Sequence, residues 1–158
     1  REELDIMGAE QGTRFGLTAT LPCMPDQISN IDSVFLNRVL DEYGLLTVDF
    51  HGPWEKKVGA SAALYDRVGE HGLSVDSCVT TYIDAGALGE NVNIALPFYG
   101  LSFAGAFAIG QEATCNWAGD CSDTVAWQED GGVPDYFNIY RKLPELNTTF
   151  NNETMASF

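Results

Sequence analysis

The stretch Leu45-Leu46-Thr47-Val48-Asp49-Phe50-His51-Gly52-Pro53-Trp54 decides how the rest of the chain is read. A short apolar run carries a carboxylate at its end, then turns through Gly52-Pro53 to a tryptophan, and a run of that length suits a buried strand better than a helix. In α/β proteins with a parallel sheet, ligands sit outside the carboxyl ends of the strands. Asp49, His51 and Trp54 therefore fall where a site belongs. The alternative for Asp49 is structural: a turn carboxylate that only satisfies backbone donors.

Upstream, residues 2–10 read as the last turns of a helix ended by Gly12, and residues 14–21 as a strand stopped by Pro22. Asp32 is suited to cap a helix running to about Leu40, with Phe35, Leu36, Val39 and Leu40 on one face. Downstream, residues 55–59 are a charged loop and residues 60–72 irregular or weakly helical. Ser74 then caps a helix whose Val75, Val79, Tyr82 and Ile83 recur at the helical period, with Gly86 as its stop. Residues 92–99 form the next buried strand. Strand, helix, strand, helix, strand is the parallel α/β pattern. After Gly100 the composition shifts to Gly, Ala and Phe, with a short helix expected over residues 135–143 and a solvated tail over 144–158.

At 158 residues the chain suits one domain that buries roughly two thirds of its unfolded surface. Its 45% hydrophobic content, with 9 Phe, 6 Tyr and 3 Trp, excludes wholesale disorder. No apolar run approaches the ~20 residues that cross a bilayer. A net charge of −15 repels phosphate backbones and anionic lipid, so neither nucleic acid nor membrane is an expected partner. The acidic residues show no EF-hand spacing. His51 and His71 with scattered carboxylates form no metal spacing, so neither metal nor cofactor is expected. Ser61 and Ser102 lack a nucleophile elbow.

Cys23, Cys78, Cys115 and Cys121 have no zinc or redox spacing, and two disulfides fit better. Proximity favours Cys115 with Cys121, leaving Cys23 with Cys78, although three pairings are allowed. Sequons at Asn147 and Asn152 agree with a secretory route. No signal peptide stands at Arg1, so a secreted chain is expected to have been processed or truncated there. Trp54, Tyr99 and Trp117 are aromatic candidates for a stacking platform, with Trp117 better suited to packing.

Four motifs then occur in register with the family 18 glycoside hydrolases, the chitinases and chitinase-like lectins, most closely of animal type. Phe15-Gly16-Leu17-Thr18-Ala19-Thr20-Leu21-Pro22 resembles the fifth barrel strand of that family. Val48-Asp49-Phe50-His51-Gly52-Pro53-Trp54-Glu55 resembles the sixth strand's Tyr-Asp-Phe-His-Gly-x-Trp-Asp, and Lys56-Lys57-Val58-Gly59 with Leu64-Tyr65 is similar to the loop after it. The stretch from Ser74-Val75-Asp76 through Pro97-Phe98-Tyr99-Gly100-Leu101-Ser102-Phe103 resembles the next helix and seventh strand, which the family ends Tyr-Gly-Arg-Ser-Phe.

The resemblance implies an α/β fold: part of a TIM barrel, strands five to seven, with part of the α+β lobe inserted after the seventh. Complete barrels need ~250 residues. The expected division is a partial barrel over 1–100, the insertion-type lobe over 101–143 and a polar, glycosylated tail over 144–158. Family chemistry is substrate-assisted, with the sugar's acetamido oxygen attacking the anomeric carbon while a glutamate protonates the leaving oxygen. That glutamate belongs to an Asp-x-x-Asp-x-Asp-x-Glu motif absent from this sequence. Asp49 matches the residue that contacts the bound sugar. Val48 stands for the tyrosine that steadies the acetamido group, Leu46 for a methionine and Leu101 for an arginine. Losing one hydroxyl aimed at developing charge costs on the order of 10²-fold.

These features lead to a secreted, extracellular chitinase-like protein that is not catalytic as this chain. Asp49, Trp54 and Tyr99 would bind chitin or an N-acetylglucosamine oligosaccharide. The alternatives are a chitin-oligosaccharide-binding lectin and a structural protein that self-associates, or pairs with a complementary barrel fragment, through strand edges.

Overall fold

The computed structural model describes residues 1–52, 54–67, 69, 72–113, 127 and 130–157. The chain begins with helix α1 (Glu2–Gln11), whose first turn carries Glu2, Glu3 and Asp5, the sign that the helix dipole favours there. It stops at Gly12, which takes the left-handed conformation, φ 67°, open to glycine at little cost. Three parallel strands follow in spatial order: β1 (Thr18–Leu21), β2 (Glu42–Leu45) and β3 (Val92–Ile94). Ala19 lies opposite Tyr43, and Tyr43 opposite Val92.

Helices α2 (Pro25–Ile28) and α3 (Ser33–Leu36) connect β1 to β2, and α4 (Val75–Asp84) connects β2 to β3. The expected caps form: Asp32 accepts from the Phe35 amide at 2.8 Å, and the Ser74 hydroxyl from the Ser77 amide at 3.1 Å. Helix α3 ends at Leu36, short of Leu40.

Alternation along β2 sends Tyr43 and Leu45 into the helix layer, where both are fully buried with Leu21, Ile28 and Tyr82. Full burial of side chains of this size contributes about 1.5–3 kcal/mol each. The Tyr43 ring meets Tyr82 edge-on, centroids 6.4 Å apart, and its hydroxyl lies 2.9 Å from the Ser33 carbonyl. The Tyr82 hydroxyl donates to the Pro22 carbonyl at 2.9 Å. Burial, then the neighbouring Tyr43, pushes the Tyr82 phenol up to about 12. A disulfide joins Cys23, past the end of β1, to Cys78 in α4.

The strands are shorter than the sequence pattern suggested. Before Thr18, the Leu17 amide donates to the Asp41 carboxylate at 2.7 Å, and that carboxylate also pairs with Arg1 and Arg14. At Leu17 a side chain thus takes the amide that a ladder partner would take, while the Leu17 carbonyl still accepts from the Asp41 amide at 2.8 Å. The Leu17 bond, then Arg14, holds the Asp41 carboxyl below its usual range. Strand β2 ends at Leu45 rather than running on to Asp49. The Thr47 amide folds back onto the Leu45 carbonyl at 2.9 Å, while its hydroxyl donates to the Ala95 carbonyl at 2.8 Å. Strand β3 covers three residues rather than 92–99; Pro97 has no amide hydrogen with which to extend the ladder.

Beyond β3, residues 98–102 pair with 132–136: the Gly100 amide donates to Pro134 at 2.9 Å and the Tyr136 amide to Phe98 at 2.8 Å. Helix α5 (Tyr136–Lys142) follows, one residue shorter at each end than expected. The segment read as a solvated tail is exposed for most of its length, yet it folds. Strands β4 (Phe150–Asn151) and β5 (Ala156–Ser157) make a small hairpin. Asn151 Oδ1 accepts from the amides of Glu153 and Thr154, a local turn device with no hydrophobic signature. Thr154 is buried, and its carbonyl accepts from the Leu64 amide at 2.9 Å, which ties the hairpin to the loop after β2. Asn147 and Asn152 are both exposed.

Among the described residues, β1 and β3 are each paired on one side only. Leu96 and Phe98, which follow Ile94 at two-residue spacing, are 68% and 72% exposed. Among the described residues no helix is long and apolar enough to cross a membrane, and no group of three metal-ligating side chains occurs. The expected Cys115–Cys121 pair, Trp117 and His71 lie outside the described residues.

Candidate sugar-binding site

Asp49 sits past the end of β2 with φ 56°, a left-handed conformation that aspartate tolerates better than most residues but which still costs of order 1 kcal/mol. Its neighbours hold it there. Phe50 is buried and its amide donates to the Ser61 carbonyl at 2.9 Å, so the loop after β2 returns directly onto the site. The Ser61 hydroxyl lies 3.3 Å from Asp49 Oδ1.

Tyr99 comes from beyond β3. Its hydroxyl donates to Asp49 Oδ1 at 2.7 Å, a charge-assisted bond across adjacent parallel strands. Burial, then the hydrogen bond to Asp49 and its charge, pushes the Tyr99 phenol up to about 12, so it remains a donor throughout the neutral range. Oδ1 thus serves two donors. Asp49 Oδ2 has no hydrogen-bond partner among the described residues, which leaves it available to accept from an O–H or N–H of a ligand.

Trp54 is 59% exposed. Its six-membered ring rests over Gly52, and a Cβ at that glycine would collide with it. The distal edge of the indole is therefore seated against main chain while the side chain stays more than half exposed. His51 is buried, with Nδ1 2.8 Å from Glu55 Oε2. Of the three candidate binding residues, Asp49 and Tyr99 are in direct contact, whereas among the described residues no hydrogen bond or ring contact links Trp54 to either.

Val48 and Leu101 are half-buried and Leu46 is exposed. Next to Tyr99 a mostly apolar cavity of about 630 Å³ opens between the sheet and α5, lined by Thr47, Leu101, Ile139, Leu146 and Met155 among others. Ser61 and Glu55 are the participants that sequence reasoning did not assign. The i,i+4 spacing of His51 and Glu55 was a usable signal; the return of Ser61 onto Asp49 depends on tertiary closure and had none.

Parallel strands with helices on one face, and a polar cluster past their carboxyl ends, make this a segment of a barrel-type α/β protein. The family model described as "Glycosyl hydrolases family 18" matches residues 1–158, and the chain belongs to that family. Among relatives, Endochitinase 1 of Metarhizium robertsii is 31% identical over 161 residues, which covers 99% of this chain and 35% of that protein. Among solved structures, an immunomodulatory active chitinase from Trichuris suis superposes with a TM-score of 0.82 at 24% identity, covering 99% of this chain and 44% of that one. A chitinase from Cycas revoluta, solved in complex with (GlcNAc)3, superposes with a TM-score of 0.78 at 20% identity, covering 99% and 44%. The fold is thus part of the TIM-barrel type found in these chitinases. The chain spans about a third of the length of the curated relatives it matches.

Proposed function

We propose that this chain supplies part of the chitin-oligosaccharide-binding cleft of a secreted family 18 protein and does not cleave the polymer by itself. The observation that carries the reading is the Tyr99–Asp49 contact, which occupies one carboxylate oxygen and leaves the other without a hydrogen-bond partner among the described residues. A carboxylate acceptor beside a neutral phenol suits the hydroxyl and acetamido N–H donors of N-acetylglucosamine, and the exposed indole of Trp54 suits the apolar face of a sugar ring. The oligosaccharide complex of the Cycas revoluta chitinase supports the same ligand class.

In this reading β1, β2 and β3 correspond to barrel strands five, six and seven, residues 101–143 to the inserted lobe, and Asn147 and Asn152 carry glycans. Catalysis is not assigned to the chain because the sequence contains no Asp-x-x-Asp-x-Asp-x-Glu run, and Val48 and Leu101 offer aliphatic side chains where the family resemblance calls for a hydroxyl and a guanidinium. The test is calorimetric titration of the purified chain with chitotetraose, alongside product analysis by mass spectrometry. Saturable binding that is lost in Asp49→Ala, with no shorter oligosaccharides formed, is expected. Absence of binding, or hydrolysis by the chain alone, overturns the reading.

A further inference from the structure

We infer that His51 is a positioning residue, which with Glu55 and Gly59 fixes the turn that presents the exposed indole of Trp54. The ligand in this inference is the one proposed above; the geometry stands apart from it. Glu55 Oε2 bridges the two arms of the turn, at 2.8 Å from His51 Nδ1 and 3.3 Å from the Gly52 amide, while the Glu55 amide donates to the Gly52 carbonyl at 3.1 Å. An ionised carboxylate only accepts, so the imidazole donates through Nδ1. Trp54 lies between the bridged residues and is held down on Gly52.

The other side of the imidazole is closed by Gly59, where any Cβ would fall on the ring. That glycine follows a segment tied firmly to a distant part of the chain. The Val58 amide donates to Gln111 at 2.9 Å, the Gly110 amide to Val58 at 2.7 Å and the Ala113 amide to Lys56 at 3.0 Å. His51 is therefore wedged between the Trp54 turn and a short ladder that joins residues 56–58 to 110–113. A buried polar ring bonded to Glu55, with a glycine cut to its shape, is a costly arrangement for packing alone, since an apolar ring would fill the same space without a hydrogen bond to satisfy. The bond to Glu55 gives the ring a directional task, and the part of the turn it directs is Trp54.

The test uses the whole chain, chitotetraose as probe, and two readouts: the dissociation constant, and the indole N–H resonance of Trp54, identified by its loss in Trp54→Phe. Glu55→Ala and His51→Phe are expected to weaken binding about tenfold, the loss that accompanies one charge-assisted hydrogen bond, and to displace the Trp54 resonance. Glu55→Gln keeps an acceptor for both donors and is expected to stay within about threefold with the resonance in place. A role in packing alone would leave Glu55→Ala, at a partly exposed residue, with unchanged affinity and an unchanged resonance, and that result overturns the inference. Should His51→Phe not fold, Glu55→Ala carries the test. If Trp54→Ala leaves affinity unaltered, the sugar-cleft reading fails at Trp54, and the indole resonance in Glu55→Ala alone then decides whether His51 positions the ring.

Discussion

The Tyr99 hydroxyl donates to Asp49 Oδ1 at 2.7 Å, and the two residues are separated by 50 positions in sequence. Their contact joins the chain just beyond β2 to the chain just beyond β3, past the point where the ladder between those two strands ends. The bond therefore does two things: it orients a carboxylate in a left-handed backbone conformation, and it closes the carboxyl end of the sheet.

Tyr99→Phe separates these roles. Removing the phenol leaves Asp49 with Ser61 as its described donor, and loss of a hydrogen bond to a charged group costs about 1.5–3 kcal/mol. For a chain of this size the melting temperature should fall by roughly 3–10 °C. Chitotetraose affinity should fall about tenfold or more, because the carboxylate gains freedom to turn. Calorimetry of unfolding and of binding on the same sample measures both. An unchanged affinity would place the sugar elsewhere.

Alkaline pH should weaken the fold through the tyrosines. The Tyr82 and Tyr99 phenols are both pushed up to about 12, and burial raises Tyr43 as well. An unfolded chain releases these protons near pH 10. Between about 10 and 12 the unfolded state thus holds fewer protons than the folded one, and stability falls as pH rises. Below 10 the contribution is fully present. Thermal melts across this window, followed together with phenolate absorbance, should show cooperative late ionisation coincident with unfolding. Tyr82→Phe should flatten the alkaline slope; an equally steep slope in that variant assigns it to other groups.

The parts of the fold legible in the sequence are those whose signal is local. Ser74 and Asp32 cap helices with their own side chains, and the apolar period of α4 lies within ten residues. Strand ends were misjudged because a ladder stops where its partner stops: Asp41 claims the Leu17 amide, Thr47 turns back on Leu45, and Pro97 cannot donate. The hairpin of β4 and β5 was invisible because an asparagine side chain and a backbone clasp to Leu64 make it, with no apolar alternation. Asp49 is legible as a carboxylate at a strand end and Tyr99 as an aromatic candidate, each separately. Their bond to one another, and the part played by Ser61, required the loop to close in three dimensions.

The Cys23–Cys78 disulfide should contribute heavily to stability. It spans 55 positions and ties the end of β1 to α4. Closing a loop of that length lowers the entropy of the unfolded chain by an amount worth about 4 kcal/mol on the chain-entropy account. A double Cys23→Ala, Cys78→Ala variant should melt roughly 10 °C lower. Neither cysteine is a hydrogen-bond partner of Asp49, which is held by Ser61 and Tyr99, so chitotetraose affinity measured well below the melting temperature should stay within about twofold. A smaller loss of stability would mean that the unfolded state retains structure around these residues.

The outward stripe beyond β3 sets two forces against each other. Leu96 is 68% exposed, next to an edge with no strand neighbour among the described residues, and apolar surface of this kind promotes association. A net charge of −15 opposes it, since two copies repel one another wherever salt does not screen them. The Debye length is about 30 Å at 0.01 M salt and about 3 Å at 1 M. Sedimentation velocity should therefore find a monomer at low ionic strength and self-association on raising the salt, the opposite of the salt response of an ion-paired interface. Leu96→Lys interrupts the apolar stripe and should keep the chain monomeric at both ends of the salt series. Association that is equally strong in this variant would mean that copies meet through another surface, and a monomer at every salt concentration would mean that the exposed strand edge is not adhesive.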